Sequence, residues 1–223
     1  MSMKLFFQAM AKFLGGLLAV GLLFFLPAWT FAYPQAWLFI GVLFVPMFCA
    51  GIVMMAVRPG LLEKRLNARE EQNEQKTVIA LSGIMFAAAF VSAALSFRFG
   101  WLMFPVWVSY AGTAVFLAAY VLYAEVLREN EYLARTVRVE EGQKVIDTGL
   151  YGVVRHPMYM STLLLFLSIP LILGSVISLA VMLIYIPIIV LRIRNEEKVL
   201  EEGLDGYREY ERRVRFRIIP FIW

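Results

Sequence analysis

The sequence predicts an all-α protein, a polytopic bundle of transmembrane helices. Apolar residues make up 61% of the 223 residues and charged residues 17%, whereas a soluble globular chain has about 45–50% and about 25%. The mean hydropathy is +0.72. Long apolar stretches recur along the chain, and a helix crosses a bilayer with roughly 20 mainly apolar residues. This composition excludes a soluble globular domain, a disordered chain and a disulfide scaffold.

Six apolar stretches are the candidate spans. The first follows a basic N-terminus, and we expect it to be retained because its apolar run is too long for a signal peptide. The last two are short and are joined by the uncharged turn Gly174–Val176, so we expect a helical hairpin that either reaches the far side or stops short of it. The predicted spans are Phe13–Phe31, Trp37–Val57, Val78–Phe97, Leu102–Leu127, Tyr159–Leu173 and Ile177–Leu191.

The basic residues predict the orientation of these spans. Twenty of the 21 Lys and Arg residues lie in the termini or in the two long polar segments, on one side of the predicted topology, and Arg98 alone lies on the other. Basic residues concentrate on the cytoplasmic side of membrane proteins. We therefore expect both termini, both long polar segments and the functional site to face the cytoplasm.

The polar residues divide the chain into two parts. Spans one to four contain almost no ionisable groups, which argues against an ion pathway through them. We expect residues 1–127 to form N-terminal spans and residues 128–223 to form a C-terminal catalytic region with a cytoplasmic loop, the hairpin and a basic tail. One cysteine (Cys49) and one histidine (His156) cannot supply an intrachain disulfide or a His/Cys zinc site. No metal site is predicted.

The first polar cluster runs from Gln143 to Tyr159. Pro157 disfavours a helical conformation at His156 and suits the first turn of the following helix. His156 is therefore expected directly before a helix that enters the bilayer, and the free N–H groups of such a helix end attract anions. Residues such as Arg155, His156 and Tyr159 can also be simple interfacial anchors.

The second cluster follows span six. Arg192 and Glu196 are four residues apart and share one helix face. They form either an ion pair that solvates the helix end or a ligand site with one carboxylate and one guanidinium. The basic, aromatic tail from Gly206 to Arg217 fits anionic lipid headgroups better than nucleic acid because of its place beside the membrane. It can equally form a lid over a cytoplasmic pocket.

These residues resemble the isoprenylcysteine carboxyl methyltransferase family, part of a wider group of integral-membrane methyltransferases that includes phospholipid methyltransferases. The resemblance covers roughly Asn130 to Pro220, with Ser161 where the family often has glycine and a tail after Gly203 that differs from the eukaryotic enzymes. The matching motifs are Arg155-His156-Pro157-Met158-Tyr159, the short hairpin, Glu196-Glu197-x-x-Leu200, Tyr207-x-x-Tyr210 and Val214…Pro220.

The resemblance implies S-adenosylmethionine as the cofactor and a lipophilic or lipidated acceptor that enters from the bilayer. It implies catalytic roles for Arg192, His156 and Glu196, with Arg192 on the substrate side. Arg138 is a weaker cofactor candidate. The implied cofactor residues are Gln143, Lys144, Val145, Ile146, Tyr151, His156, Pro157, Met158, Tyr159 and Glu196.

The chemistry of the methyl acceptor separates the two methyltransferase alternatives. A carboxylate is ionised at neutral pH and needs no general base, whereas an ammonium group must first lose a proton. We therefore expect O-methylation of a lipophilic carboxylate, such as that of a prenylated cysteine, over methylation of a phospholipid amine. A sterol-reductase-like NADPH enzyme and a non-enzymatic scaffold are the remaining alternatives.

Overall fold

The predicted fold class is confirmed by the computed structural model, which describes residues 3–67, 73–130, 132, 139 and 142–223. In these residues the regular structure is helical, apart from an isolated bridge between Met103 and Ser175. A 3-10 helix, Gly149–Gly152, precedes α6. The α-helices are α1 (Met3–Ala28), α2 (Pro34–Val57), α3 (Pro59–Asn67), α4 (Asn73–Phe99), α5 (Val106–Glu129), α6 (Pro157–Leu173), α7 (Val176–Met182), α8 (Tyr185–Gly203) and α9 (Tyr207–Arg213).

The protein is a multi-pass membrane protein. In the described part of the chain, five stretches are long and apolar enough to cross a bilayer. The helix α6 is also apolar but shorter. These stretches and α6 correspond to the six predicted spans, because α7 and α8 together form one apolar stretch. The five longer stretches are Met3–Ala28, Pro34–Val57, Ile79–Phe99, Val106–Glu129 and Val176–Gly203.

Some helix ends in the structure differ from the ends of the predicted spans, because apolar content alone does not determine where a helix begins or ends. α1 begins ten residues before the predicted Phe13 because no helix breaker lies there, and it ends before Trp29, which has a positive φ of 56°. α8 continues past Leu191 to Gly203 because the charged residues after Leu191 are good helix formers. Hydropathy locates the apolar part of a helix, and backbone chemistry decides where the helix ends.

The hairpin of α6 and α7 reaches as far as the connection between α4 and α5. Gly174 ends α6 with a φ of 75°, a left-handed conformation that glycine adopts without a steric penalty. The backbone N–H of Phe104 donates to the Gly174 carbonyl at 2.8 Å, and that of Val176 donates to Leu102 at 3.0 Å. The Ser175 hydroxyl donates to the Ser96 hydroxyl at 2.9 Å. These bonds tie the hairpin turn to the α4–α5 connection at the far end of the bundle.

Aromatic side chains fill the centre of the bundle. Phe24 of α1 packs on Phe90 of α4 with ring centroids 4.9 Å apart. Phe39 of α2 contacts Phe24, Phe90 and Phe116 of α5, in each case with centroids 5.8 Å apart. Edge-to-face and tilted ring pairs of this kind add to the free energy gained from burial. The first four spans therefore form a scaffold around one aromatic core.

The closest helix contact in this region is between α5 and α6 at Gly112. A Cβ atom at Gly112 would lie 2.8 Å from Leu171 Cβ and 3.0 Å from the Ile172 backbone nitrogen. Small residues at helix interfaces in membranes let two backbones approach each other. Because α6 carries the first turn of the polar cluster, the absence of a side chain at Gly112 sets the position of that cluster relative to α5.

We predict that Gly112→Ala destabilises the protein by about 1–3 kcal/mol, since the added methyl group meets backbone atoms that cannot move aside without shifting α6. The measurement is the thermal unfolding midpoint in detergent. Gly41→Ala is the matched control, because a Cβ atom at Gly41 meets no atom within 4 Å. An equal midpoint for the two variants would contradict the packing argument.

Candidate active site

A pocket lies at the end of the bundle where α6 begins and α8 leaves its apolar part. Its walls come from the end of α5, the segment before the 3-10 helix, the first turn of α6, the charged half of α8 and α9. Residues that are distant in the sequence thus meet around one space. The lining residues are Asn130, Tyr132, Gln143, Lys144, Val145, Ile146, Tyr151, Arg155, His156, Met158, Tyr159, Arg192, Glu196, Leu200, Leu204, Tyr207 and Tyr210.

The backbone before α6 has the predicted geometry. His156 precedes the helix with φ −124° and ψ 61°, outside the helical region, and Pro157 occupies the first turn. His156 and Tyr159 are buried. The polar side chains of this turn are therefore buried at the pocket wall, whereas the side chains of simple interfacial anchors would be exposed.

A buried ion cluster centred on Glu197 lies behind this wall. The Glu197 side chain is 4% exposed. Its Oε1 atom accepts hydrogen bonds from Arg155 Nε at 2.9 Å and from Arg155 Nη2 at 2.7 Å. The same oxygen lies 3.2 Å from His156 Nε2, and Oε2 accepts from Arg217 Nε at 2.8 Å. A buried carboxylate without such partners would be strongly unfavourable.

The segment 214–217 crosses the start of α6 and completes this cluster. The backbone N–H groups of Arg155 and His156 donate to the carbonyls of Phe216 and Arg217, both at 2.8 Å. Arg155 Nη1 also donates to the Val214 carbonyl at 3.0 Å. Main-chain and side-chain bonds together fix the loop before α6 to this later segment. The tail is thus part of the pocket's framework.

A second set of polar contacts faces the pocket. The Tyr159 hydroxyl donates to Glu196 Oε2, and Arg192 Nε donates to the Tyr159 hydroxyl at 3.0 Å. His156 Nδ1 lies 3.9 Å from Glu196 Oε1. Arg192 and Glu196, predicted to share a helix face, are therefore connected through a residue of α6. This places one carboxylate and one guanidinium on the wall of the same pocket.

Three buried tyrosines complete the wall. Asn130 Nδ2 donates to the Tyr151 hydroxyl at 2.9 Å, and the Tyr210 hydroxyl donates to the Tyr151 carbonyl at 2.7 Å. The Tyr207 hydroxyl is also buried but has no hydrogen-bond partner among the described residues. Burial raises the pKa of all three phenols, so each stays protonated at neutral pH.

The structure gathers the predicted residues with few exceptions. Every predicted cofactor residue lines the pocket except Pro157, which forms the first turn behind it, and Arg192 lines the pocket as well. Arg138 lies outside the described residues. The roles of the predicted catalytic and cofactor residues stay predictions.

Other residues of the site were not predicted from the sequence. Glu197 is adjacent to Glu196 in the motif, and only the structure shows that it faces inward. Arg155 belongs to the predicted cluster, but sequence alone did not indicate its bond to Glu197. Tyr207 and Tyr210 appear in the tail motif without a signal for the pocket. The further lining residues Tyr132 and Leu204 belong to no motif, and Asn130 and Leu200 lie within the resemblance without a predicted place in the pocket.

The fold of this chain is similar to that of a solved intramembrane methyltransferase. It is similar to the solved structure of the eukaryotic intramembrane Ras methyltransferase ICMT, an isoprenylcysteine carboxyl methyltransferase, with a TM-score of 0.58. The likeness covers 91% of this chain and 74% of that chain, at 20% sequence identity. The resemblance inferred from the motifs is therefore confirmed at the level of the fold.

The sequence comparisons each cover less than half of the chain. Residues 106–205 match the model of the Phospholipid methyltransferase family. The Delta(14)-sterol reductase TM7SF2 of Mus musculus is 31% identical over 91 residues, which are 40% of this chain and 22% of the reductase. The chain thus spans about a fifth of the length of that relative. The methyltransferase match supports the predicted family resemblance, and the reductase match covers only a part of either chain.

We predict that Glu197→Gln lowers stability by about 3 kcal/mol, because the neutral amide removes the buried counter-charge of Arg155 and Arg217 and leaves the more exposed Glu211 as the ion-pair partner of Arg155. Thermal unfolding of the unliganded protein in detergent measures this loss. Glu201→Gln removes a carboxylate from an exposed position on the same helix and serves as the control. Equal unfolding midpoints for the two variants would show that the cluster does not hold the fold together.

Proposed function

We propose that this protein is an integral-membrane methyltransferase that transfers a methyl group from S-adenosylmethionine to the carboxylate of a lipophilic acceptor, such as a prenylated cysteine. One observation carries the proposal. The segment 143–146, the first turn of α6 and Glu196 meet around a single pocket at the membrane boundary. The catalytic region of the proposal is residues 128–223.

The donor set of the pocket fits this cofactor. The Glu196 carboxylate can neutralise a cationic α-amino group, because it faces the pocket and is only partly buried. Val145 and Ile146 give an apolar surface for a nucleobase. His156 and the first turn of α6 supply donors for polar or anionic groups. The buried and unpartnered hydroxyl of Tyr207 is a further polar atom that a ligand can satisfy.

Methyl transfer requires the protein mainly to align the two reactants and to exclude water. When bound, S-adenosylmethionine supplies the electrophilic methyl group on its sulfonium. Arg192 is suited to orient an acceptor carboxylate, since a guanidinium binds a carboxylate with two parallel hydrogen bonds. The Tyr159 hydroxyl holds Arg192 and Glu196 in a fixed relation to each other. Such positioning is a large source of rate in a displacement reaction.

The surroundings of the pocket favour an acceptor with an apolar tail. Met158, Tyr159 and Arg192 line the pocket next to the apolar stretches of α6 and α8, so a lipid chain can lie against these helices while its polar end reaches Arg192. Membrane lipids are partners in this proposal, and nucleic acid is not. The distribution of basic residues supports an active site and termini on the cytoplasmic side.

A phospholipid amine is the second candidate acceptor, because residues 106–205 match the Phospholipid methyltransferase family. An ammonium acceptor must lose a proton before it can accept a methyl group. His156 and Glu196 are the candidate bases in the pocket, but both already contact other protein groups. A carboxylate needs no such step, which is why it is the preferred acceptor.

Calorimetric titration of the detergent-purified protein with S-adenosylhomocysteine tests the function, with NADPH as the parallel ligand. Micromolar binding of S-adenosylhomocysteine alone supports the methyltransferase. Binding of NADPH alone would replace it with the reductase reading, and binding of neither would leave a scaffold. A screen with farnesylcysteine analogues and phospholipids then separates a carboxylate acceptor from an amine acceptor.

We predict that Glu196→Gln weakens S-adenosylhomocysteine binding about tenfold or more, because the amide cannot neutralise the amino group of the ligand. The unfolding midpoint should change much less than in Glu197→Gln, since the Glu196 side chain is 23% exposed whereas that of Glu197 is 4% exposed. Calorimetry on both variants measures the contrast. Unchanged affinity in Glu196→Gln would remove Glu196 from the cofactor site.

We predict that Arg192→Ala raises the KM for the acceptor about tenfold or more, while the affinity for S-adenosylhomocysteine falls much less. The reason is that Arg192 orients the acceptor carboxylate in the proposed mechanism. Steady-state kinetics with a farnesylcysteine analogue, together with calorimetry, separate the two effects. Arg194→Ala, an exposed arginine on the same helix, is the control. A defect confined to cofactor binding would contradict the assignment.

A further inference from the structure

Tyr207 is a buried polar residue that the ion cluster and the predicted cofactor residues leave without a role. Only 4% of the residue is exposed, and its hydroxyl has no hydrogen-bond partner in the described part of the chain. More than nine in ten buried polar groups in proteins have a partner, because an unpaired one costs about 1–3 kcal/mol. The Tyr207 side chain also lines the pocket. An unpaired hydroxyl at a pocket wall indicates that the partner is a ligand.

The surroundings of Tyr207 indicate which kind of ligand atom it meets. Its side chain packs with Leu204 and Val145 in an apolar cluster beside the pocket. The carboxylates of Glu197 and Glu196 act on the phenol in the same direction as burial, and each raises its pKa, while Arg155 acts in the opposite direction. A charged ligand group would lose its hydration beside the apolar neighbours Leu204 and Val145. An uncharged acceptor atom fits this position.

We propose that the Tyr207 hydroxyl donates a hydrogen bond to an uncharged acceptor atom of the adenosyl group of the bound cofactor. This inference rests on the proposed methyltransferase function and adds a binding residue to it. Tyr207 lies on α9, in the tail, so the tail supplies a contact to the nucleoside as well as the framework of the pocket. The amino-acid end of the cofactor then lies toward Glu196, on the opposite, more polar part of the wall.

Tyr210 provides an internal comparison on the same short helix. It is also a buried tyrosine that lines the pocket, but its hydroxyl donates to the Tyr151 carbonyl at 2.7 Å. Removal of this hydroxyl leaves a buried carbonyl unpaired and therefore lowers the stability of the unliganded protein. Removal of the Tyr207 hydroxyl breaks no hydrogen bond to a described residue and removes a polar atom that has no partner among those residues. The same substitution is therefore expected to have different effects at the two positions.

We predict that Tyr207→Phe weakens binding of S-adenosylhomocysteine about tenfold and leaves the unfolding midpoint of the unliganded protein equal to the wild type or higher. Binding of 5′-methylthioadenosine, which keeps the adenosyl group and lacks the amino-acid group, falls by the same factor. Tyr210→Phe lowers the unfolding midpoint. The measurements are calorimetry with both ligands and thermal unfolding without ligand.

Two outcomes would overturn the assignment of Tyr207 while the methyltransferase function stands. The first is that Tyr207→Phe binds both ligands as tightly as the wild-type protein. The second is that it loses affinity for S-adenosylhomocysteine alone, which would place the contact at the amino-acid end. If the wild-type protein itself binds neither ligand, the proposed function fails, and the assignment of Tyr207 fails with it.

Discussion

The site depends on the hydrogen bonds and ion pairs of the buried Glu197 carboxylate. It brings together Arg155 and His156 from the loop before α6 and Arg217 from the tail. The Glu197 carboxylate and the Arg155 guanidinium are both buried, and desolvation of an ion costs several kcal/mol unless opposite charges and hydrogen bonds compensate it. The start of α6, the charged half of α8 and the tail therefore adopt their places together, and the pocket is the space that remains between them.

The two adjacent glutamates show how one helix serves both stability and ligand binding. Successive residues of an α-helix point about 100° apart, so Glu197 faces the buried cluster while Glu196 faces the pocket. The Tyr159 hydroxyl then joins Glu196 to Arg192, one turn earlier on the same helix. The carboxylate proposed to bind the cofactor is thus fixed to a framework held by its neighbour, and a rigid framework is what precise alignment of two reactants requires.

The sequence predicts the fold well because hydropathy depends on local composition. The six spans and the non-helical conformation of His156 before Pro157 follow from such local signals. For the site, the sequence predicts only which motifs contribute residues to it. Glu197 and Tyr207 lie within those motifs, but their roles depend on which way each side chain points after packing, which spacing does not specify. The attachment of segment 214–217 to the start of α6 depends on backbone bonds between distant residues, and composition carries no signal for such bonds.

The tail's place across the start of α6 has a consequence for biogenesis. A ribosome makes the Arg155 loop well before it makes residues 214–217. The backbone N–H groups of Arg155 and His156 gain their carbonyl acceptors only when Phe216 and Arg217 have been made and have emerged. The framework at the start of α6 is therefore completed by one of the last segments of the chain to be synthesised.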